Sequence, residues 1–193
     1  MPRLFTALEL PDPLRQQLGR LSVPLPGAKW VEPENLHLTL RFAGDIDGRK
    51  ARDFADELSQ ISVPVFSIRL AGLGAFGGND PHTIWAGVEA GPELENLAKA
   101  NERAARAAGL PPETRKFKAH VTLARMRGTS PDQVARILER HGAYKSELIT
   151  IEQFVLFSSR PSTGGGPYAV EEVFPLEGSS MGYDGDLDRN WKP

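Results

Sequence analysis

Two short segments of this chain carry the same four-residue pattern, His-x-Thr-x, and each lies in an apolar run that is typical of a β-strand. They are His37-Leu38-Thr39-Leu40 and His120-Val121-Thr122-Leu123. Side chains alternate between the two faces of a strand, so each His and the Thr two residues later point to one face. The apolar residue between them points to the other face. The fold must therefore contain two strands that each present an imidazole beside a hydroxyl.

Two such pairs that face one another would form a cleft with two proton-transfer groups and two neutral hydrogen-bond donors. An anionic group with oxygens on several sides, such as a phosphodiester, matches this set. The alternative is an edge or half-buried strand in which each His is satisfied by a structural neighbour. The other histidines, His82 and His141, have no Thr two residues later, and we expect structural or surface roles for them.

The composition is that of a soluble globular protein with one substantial core or two small lobes, since 40% of the 193 residues are hydrophobic and 25% are charged. The chain has no Cys, which excludes disulfides, thiol catalysis and thiolate zinc sites and favours a cytoplasmic location. No apolar run reaches the length of a membrane span, so we expect neither membrane insertion nor secretion.

The formal net charge of −2 argues against a protein that coats nucleic acid through long-range attraction. The segment 115–127 differs from the rest of the chain, because it encloses the second His-x-Thr pair and has five basic residues and no acidic one. This segment is either a positive collar around a phosphate site or a solvated basic face.

Hydrophobic periodicity predicts strands and helices in both halves of the chain, with a helix after each His-x-Thr strand. Mixed strands, helices and hairpins favour an α+β fold with antiparallel sheets over a doubly wound parallel sheet. The pattern ends near residue 177, which predicts one domain over 1–177 and a disordered tail over 178–193. The predicted strands cover 4–10, 36–42, 63–73, 82–88, the second motif, 149–158 and 168–176, and the predicted helices cover 14–22, 48–61, 92–108 and 131–140.

The chain resembles the two-histidine (2H) phosphoesterase superfamily in five segments that follow one another in the expected order: RLFTALELP, WVEPENLHLTLRFAG, IWAGV, FKAHVTLAR and FSSRPSTGGGPYAVEEVFPL. The closest resemblance is to its RNA 2′,3′-cyclic phosphodiesterase branch, formerly called 2′-5′ RNA ligases, and it covers about residues 3 to 177. It implies a bilobal fold in which two mainly antiparallel sheets with flanking helices are related by a pseudo-two-fold axis and enclose a central cleft. Members often have Pro before the second motif His, where this chain has Ala119, a difference that removes no chemical group.

The resemblance also implies an activity, namely metal-independent hydrolysis of terminal 2′,3′-cyclic phosphates to 2′-phosphomonoesters. It assigns His37 as the proton donor and His120 as the proton acceptor. Thr39 and Thr122 are expected to donate hydrogen bonds to the phosphate oxygens. No metal and no cofactor is implied, the expected partner is an RNA or oligonucleotide end with a cyclic phosphate, and we expect a monomer.

Arg125 is a further candidate for phosphate binding, again from the resemblance. Strict alternation would place it on the opposite face from His120, so it can reach the cleft only if the strand ends or bulges near Ala124. Arg41 has the parity of His37, and we expect it either in the cleft or facing solvent at its rim.

Three aromatic residues near the motifs, Trp30, Phe42 and Phe117, either stack on a nucleobase or belong to the core. Two other functions stay open at this point. One is a non-catalytic module that binds RNA ends, and the other is the reverse reaction, in which RNA ends are joined through a 2′-5′ bond.

Overall fold

The computed structural model describes residues 3–159 and 166–180, and these residues form nine β-strands and four α-helices. The strands are β1 (Arg3–Glu9), β2 (Ala28–Trp30), β3 (His37–Asp45), β4 (Phe66–Phe76), β5 (Thr83–Ala90), β6 (His120–Met126), β7 (Ile149–Ile151), β8 (Gln153–Ser159) and β9 (Ala169–Pro175). The helices are α1 (Asp12–Gly19), α2 (Gly48–Leu58), α3 (Pro92–Ala107) and α4 (Pro131–His141). The predicted order is confirmed, with β2 as an additional short strand and the predicted strand 149–158 divided into β7 and β8.

The helices form where apolar residues recur with helical spacing. Helix α2 buries Ala51, Phe54, Ala55 and Leu58, which form one apolar stripe on a helix of 11 residues. Asp47 caps its N-terminus, because the carboxylate accepts a hydrogen bond of 2.9 Å from the backbone of the first turn.

All nine strands of the described chain belong to one sheet, and each neighbouring pair of strands is antiparallel. The order is β7-β4-β5-β6-β3-β1-β8-β9, and β2 pairs with β6. The two motif strands, β3 and β6, meet in the middle through one residue pair, Leu38 and Val121. The two expected sheets are thus the two halves of one sheet. We call β1, β3, β8 and β9 the first half and the other strands the second half.

The sheet curls until its two ends come together. Strand β7 is at one end of the order and β8 is next to the other end, yet Glu152 alone separates them in the chain. Consecutive Cα atoms are about 3.8 Å apart, so these ends must be adjacent. Two backbone hydrogen bonds of 2.9 and 3.0 Å, in which Glu177 pairs with Val65 and Val63, add a further contact here.

The hydrophobic core takes residues from both halves of the sheet. Leu38 and Val121 are fully buried, and α3 packs against both β3 and α2. Each fully buried aliphatic side chain contributes about 1.5–3 kcal/mol to stability. Because the apolar faces of both motif strands are buried in this core, their His-Thr faces are turned away from it. The α+β class is confirmed, while the pseudo-two-fold axis stays a prediction.

No helix in the described part of the chain is long and apolar enough to cross a membrane. The predicted disordered tail begins with three residues that the structure describes, and Ser180 donates hydrogen bonds of 3.0 and 2.6 Å to the carboxylate of Glu152. The rest of that predicted tail, 181–193, lies outside the described residues.

Candidate active site

The pairing of β3 with β6 brings the two His-x-Thr segments together. Leu38 of the first motif lies opposite Val121 of the second in an antiparallel register, so the His of each motif lies beside the Thr of the other. Along both strands the His and Thr are partly exposed and the residues between them are buried. The predicted alternation is therefore confirmed for the four motif residues, His37, Thr39, His120 and Thr122.

Each motif strand has a β-bulge directly after its Thr. Thr39 of β3 lies opposite Ala7 of β1, and Arg41 lies opposite the adjacent Thr6. Leu40 is therefore an extra residue in β3 without a partner in β1. A bulge reverses the alternation, and the residues after it exchange faces.

The bulge in β6 has the same position. Trp85 and Ile84 of β5 lie opposite Thr122 and Ala124, which leaves Leu123 as the extra residue. This is the bulge on which the position of Arg125 depends, and it turns that side chain to the cleft.

The fifth residue after each motif His consequently lies on the cleft face. These two residues are Phe42 in β3 and Arg125 in β6, and both line one cavity of about 100 Å³. Three other predicted site residues, His37, Thr39 and Thr122, line the same cavity. His120 lies next to it, on the same face of β6 as Thr122.

Arg41 is turned away from the cleft and is only 8% exposed. Its Nε donates to Glu102 Oε2 at 2.5 Å, and its two Nη atoms donate to the carbonyls of Phe42 and Pro111. The prediction that Arg41 lies in the cleft or at its solvent-facing rim is wrong, because it assumed alternation without the bulge at Leu40.

The imidazole of His37 is oriented by its own chain. Nδ1 donates a 2.7 Å hydrogen bond to the carbonyl of Asn35, and since a carbonyl only accepts, Nε2 is left to exchange protons. The rings of Phe5 and Tyr168 lie 4.9 and 5.2 Å from the imidazole. Burial lowers the pKa of His37, the Asn35 carbonyl raises it, and the charges of Arg125 and His120 lower it further.

The imidazole of His120 is held in the same way. Its Nδ1 donates a 2.6 Å hydrogen bond to the carbonyl of Lys118, again two residues earlier. Phe76 lies edge-on at 5.1 Å, and Trp85 lies 6.3 Å away. Burial lowers the pKa of His120, the Lys118 carbonyl raises it, and the charges of Lys118 and Arg125 lower it.

Among the other candidates, Trp30 and Phe117 are partly buried and pack against the core, where Trp30 Nε1 donates to the carbonyl of Val23 at 2.8 Å. Phe42 differs, because its side chain is 40% exposed. His82 is exposed, which favours the surface role of the two roles, structural or surface, expected for it. In the described residues, no three His, Cys, Asp or Glu side chains form a group that could hold a metal ion.

Sequence reasoning missed the aromatic residues around His37, because Phe5 and Tyr168 come from distant segments of the chain. It also missed the two orienting carbonyls, which belong to Asn35 and Lys118 and leave no signature in residue type. Their signal is positional, since each lies two residues before a motif His.

The chain matches the family model of LigT-like phosphoesterases over residues 8–85 and 87–168. The chain belongs to the LigT-like phosphoesterase family. Membership of the 2H superfamily, inferred above from sequence motifs, is thereby confirmed.

Curated relatives carry the name of one activity. The RNA 2′,3′-cyclic phosphodiesterase of Archaeoglobus fulgidus is 31% identical over 176 residues, which is 89% of this chain and 99% of the relative. The protein of the same name from Aquifex aeolicus is 35% identical over 156 residues, or 78% of this chain and 82% of the relative. The similarity to these relatives confirms the expectation that the protein is a hydrolase.

Solved structures show the same fold. TT0787 of Thermus thermophilus superposes with a TM-score of 0.73 at 28% identity. The match covers 90% of this chain and 97% of the TT0787 chain. E. coli LigT in complex with 3′-AMP superposes with a TM-score of 0.74 at 25% identity. The match covers 92% of this chain and 99% of the LigT chain.

Proposed function

We propose that this protein hydrolyses the 2′,3′-cyclic phosphodiester at the end of an RNA or oligonucleotide to a 2′-phosphomonoester, without a metal ion. One observation carries the proposal. Two imidazoles, each held by a carbonyl at Nδ1, lie on one face with two Thr hydroxyls and one Arg, where β3 meets β6. The activity named for the relatives from Archaeoglobus and Aquifex supports it.

The reaction needs a base for water and an acid for the departing ribose oxygen. Nε2 of neutral His120 takes the proton of the water whose oxygen forms a bond to phosphorus. Nε2 of protonated His37 gives its proton to the 3′ oxygen as the bond from phosphorus to that oxygen breaks. The phosphate stays on the 2′ oxygen. The resemblance to the 2H superfamily assigns these two roles.

Charge that accumulates on the non-bridging oxygens needs donors that are already in place. The hydroxyls of Thr39 and Thr122 and the guanidinium of Arg125 line the cavity and supply them. Because Arg125 lowers the pKa of both histidines, a bound phosphate that offsets its charge raises the pKa of His37 and of His120. Substrate binding thus favours the protonated acid.

A metal-free reaction fits the chemistry of these side chains. Each His has a Thr beside it, which is a poor ligand for zinc, and the positive charge near the phosphate comes from Arg125. Phe42 is 40% exposed and lines the cavity, with the Arg3 guanidinium 5.1 Å from its ring centre, and the exposed part of the ring offers a surface on which the terminal nucleobase stacks.

The test is a hydrolysis assay with a chelator present, on an oligonucleotide that ends in a 2′,3′-cyclic phosphate. We expect a 2′-phosphate product from the wild-type chain and from His82→Ala, a control that removes an exposed His outside the cavity. We expect no product from folded His37→Ala or His120→Ala. Tight binding without product would indicate an RNA-end binding module, and loss of folding in both variants would indicate structural histidines.

A further inference from the structure

A partly buried ion pair joins the first motif strand to a helix behind the cleft. Arg41 belongs to β3 of the first half and Glu102 belongs to α3, the helix between β5 and β6 of the second half. Arg41 Nε lies 2.5 Å from Glu102 Oε2, and the two side chains are 8% and 27% exposed.

The same two side chains also hold a short piece of backbone. A guanidinium nitrogen of Arg41 donates to the carbonyl of Pro111, and Glu102 Oε1 accepts from the backbone nitrogen of Glu113 at 3.1 Å. The carboxylate of Glu113 in turn binds the side chain of Arg115 at 3.2 Å. The segment 111–113 is therefore fixed at both ends by residues that lie elsewhere in the fold.

The segment 111–113 is the start of the connection that leads from α3 to the second motif strand. Residues 111–119 have no helix or strand and lead directly into β6, which begins at His120. The last part of the connection contains Lys118, whose carbonyl orients the imidazole of His120. The first motif strand, β3, thus anchors the connection whose Lys118 carbonyl orients the imidazole of His120 in the second motif strand, β6.

Packing alone does not call for an Arg at this position. Ala124 has the corresponding place in β6, since both residues follow the extra residue of a bulge, and it is fully buried. Buried ion pairs can often be replaced by apolar residues of similar volume without loss of stability, because desolvation offsets their attraction. Arg41 and Glu102 differ from an apolar pair in that they hold the backbone of 111–113.

We propose that Arg41 and Glu102 are positioning residues for His120, acting from β3 and α3 on the connection that leads into β6. By fixing 111–113 against β3, they bring the Lys118 carbonyl to Nδ1 of His120 and keep Nε2 directed at the substrate phosphate. The link to catalysis rests on the proposed function, whereas the orientation of the ring does not.

The decisive variant is Arg41→Met combined with Glu102→Leu, which removes both charges and keeps the volume. We expect a melting temperature close to that of the wild type and a kcat lowered about tenfold to a hundredfold, because small displacements of a catalytic group are costly. KM should stay within about twofold, since no cavity side chain is substituted. The matched control is Lys99→Met with Glu95→Leu, an exposed pair 2.9 Å apart on the same helix, for which we expect wild-type kcat.

A second readout needs no turnover. In NMR spectra of the apolar-pair variant, the Nδ1 proton of His120 should lose the signature of its hydrogen bond to Lys118, and the pKa of His120 should fall, because that bond raises it. The Nδ1 proton of His37, held by Asn35, is the internal reference and should keep its resonance.

A folded apolar-pair variant with wild-type kcat and unchanged His120 resonances overturns the proposal. If that variant does not fold, Arg41→Lys decides, because an ammonium does not reproduce the planar fork of the guanidinium, which binds Glu102 and the carbonyls of Phe42 and Pro111 together. Wild-type kcat and unchanged His120 resonances in Arg41→Lys also overturn the proposal. Absence of turnover in the wild-type chain contradicts the proposed function instead, and the NMR readout then tests the positioning role alone.

Discussion

Both motif imidazoles are oriented by the carbonyl of the residue two positions earlier. Asn35 and Lys118 accept from Nδ1 at 2.7 and 2.6 Å, so each ring has the same tautomer and titrates through Nε2. The rings differ in the charges around them, since Lys118 acts on His120, whereas His120 acts on His37 when it is protonated.

The pH dependence of the rate follows from these surroundings. The proposed mechanism needs His120 neutral and His37 protonated, which predicts a bell-shaped profile. Burial and nearby cations lower both pKa values below the ordinary 6.5, so the optimum of kcat/KM, which reports the free enzyme, should lie below about pH 6.5. Bound phosphate raises the pKa of His37, so the alkaline limb of kcat should lie at higher pH. Steady-state kinetics across pH measures both, and a monotonic profile would contradict the paired roles.

Arg125 should contribute both phosphate binding and pKa control. Arg125→Gln is expected to lower kcat/KM about 10²–10³-fold, as loss of one charge-stabilising donor does in other enzymes. It should also raise the pKa of both His37 and His120, because the Arg125 charge lowers them. Kinetics and NMR titration of the two imidazoles check the two effects.

Arg127 provides the matched control for Arg125, because it is exposed, lies in the same basic segment and is not among the cavity residues. Arg127→Gln should leave both pKa values unchanged and have a small effect on kcat/KM. Equal losses in the two variants would mean that the segment acts as a diffuse basic collar and that Arg125 has no specific role.

At the level of elements, the two motif strands share one structural feature, a β-bulge. Each has a bulge directly after its Thr, and each bulge turns the fifth residue after the His into the cleft. The residues thus presented differ, an aromatic ring at Phe42 and a cation at Arg125, which gives the two sides of the cleft different chemistry.

Pairing between β4 and β5 shapes the wall beside His120. Gly74 lies opposite Trp85, and a Cβ added to Gly74 would come within 2.3 Å of the indole ring. Gly74→Ala should therefore destabilise the fold by about 1–3 kcal/mol, the usual cost of overpacking. It should also lower kcat, because the displaced indole is a neighbour of the imidazole. Chemical denaturation and kinetics measure the two effects.

Gly48→Ala is the control for the loss of glycine itself. This glycine begins α2, and an added Cβ meets only the end of the flexible Arg52 side chain at 3.8 Å. We expect unchanged or slightly raised stability there, by up to about 1 kcal/mol. Equal stability of the two alanine variants would show that the Trp85 side chain moves aside with no loss of folding free energy.

At the scale of the whole molecule, the sheet joins its halves at two places. Strands β3 and β6 meet beneath the cleft, and the single residue Glu152 between β7 and β8 brings the two ends of the sheet together. Residues near the end of the described chain take part, since Leu176 is 4% exposed and Glu177 pairs with Val63 and Val65.

Two truncations test where the folded domain ends. A chain that stops after Ser180 keeps every contact described above, and we expect wild-type melting temperature and kcat. A chain that stops after Pro175 loses Leu176 and the backbone bonds of Glu177, and should be destabilised by at least about 2 kcal/mol. Thermal unfolding compares them, and destabilisation of the chain that stops after Ser180 would contradict the predicted boundary near 177.

Much of the candidate site could be predicted because its signal is local. Alternation in a strand follows from backbone geometry, so the shared face of His37 and Thr39 was visible in the sequence, as were the positive charges that flank His120. The side to which Arg41 and Arg125 point was not, because a bulge depends on the register of the partner strand and leaves no mark in residue type.

The sequence by itself determined the secondary structure around both motifs, the polar face of each motif strand and the membership of a phosphoesterase family. Only the tertiary structure decided that β3 pairs with β6, that Arg125 faces the cleft while Arg41 binds Glu102, and that Asn35 and Lys118 orient the two rings. The physical reason is range: alternation is a property of neighbouring residues, whereas register, bulges and the ion pair of Arg41 with Glu102 depend on segments that are distant in the chain.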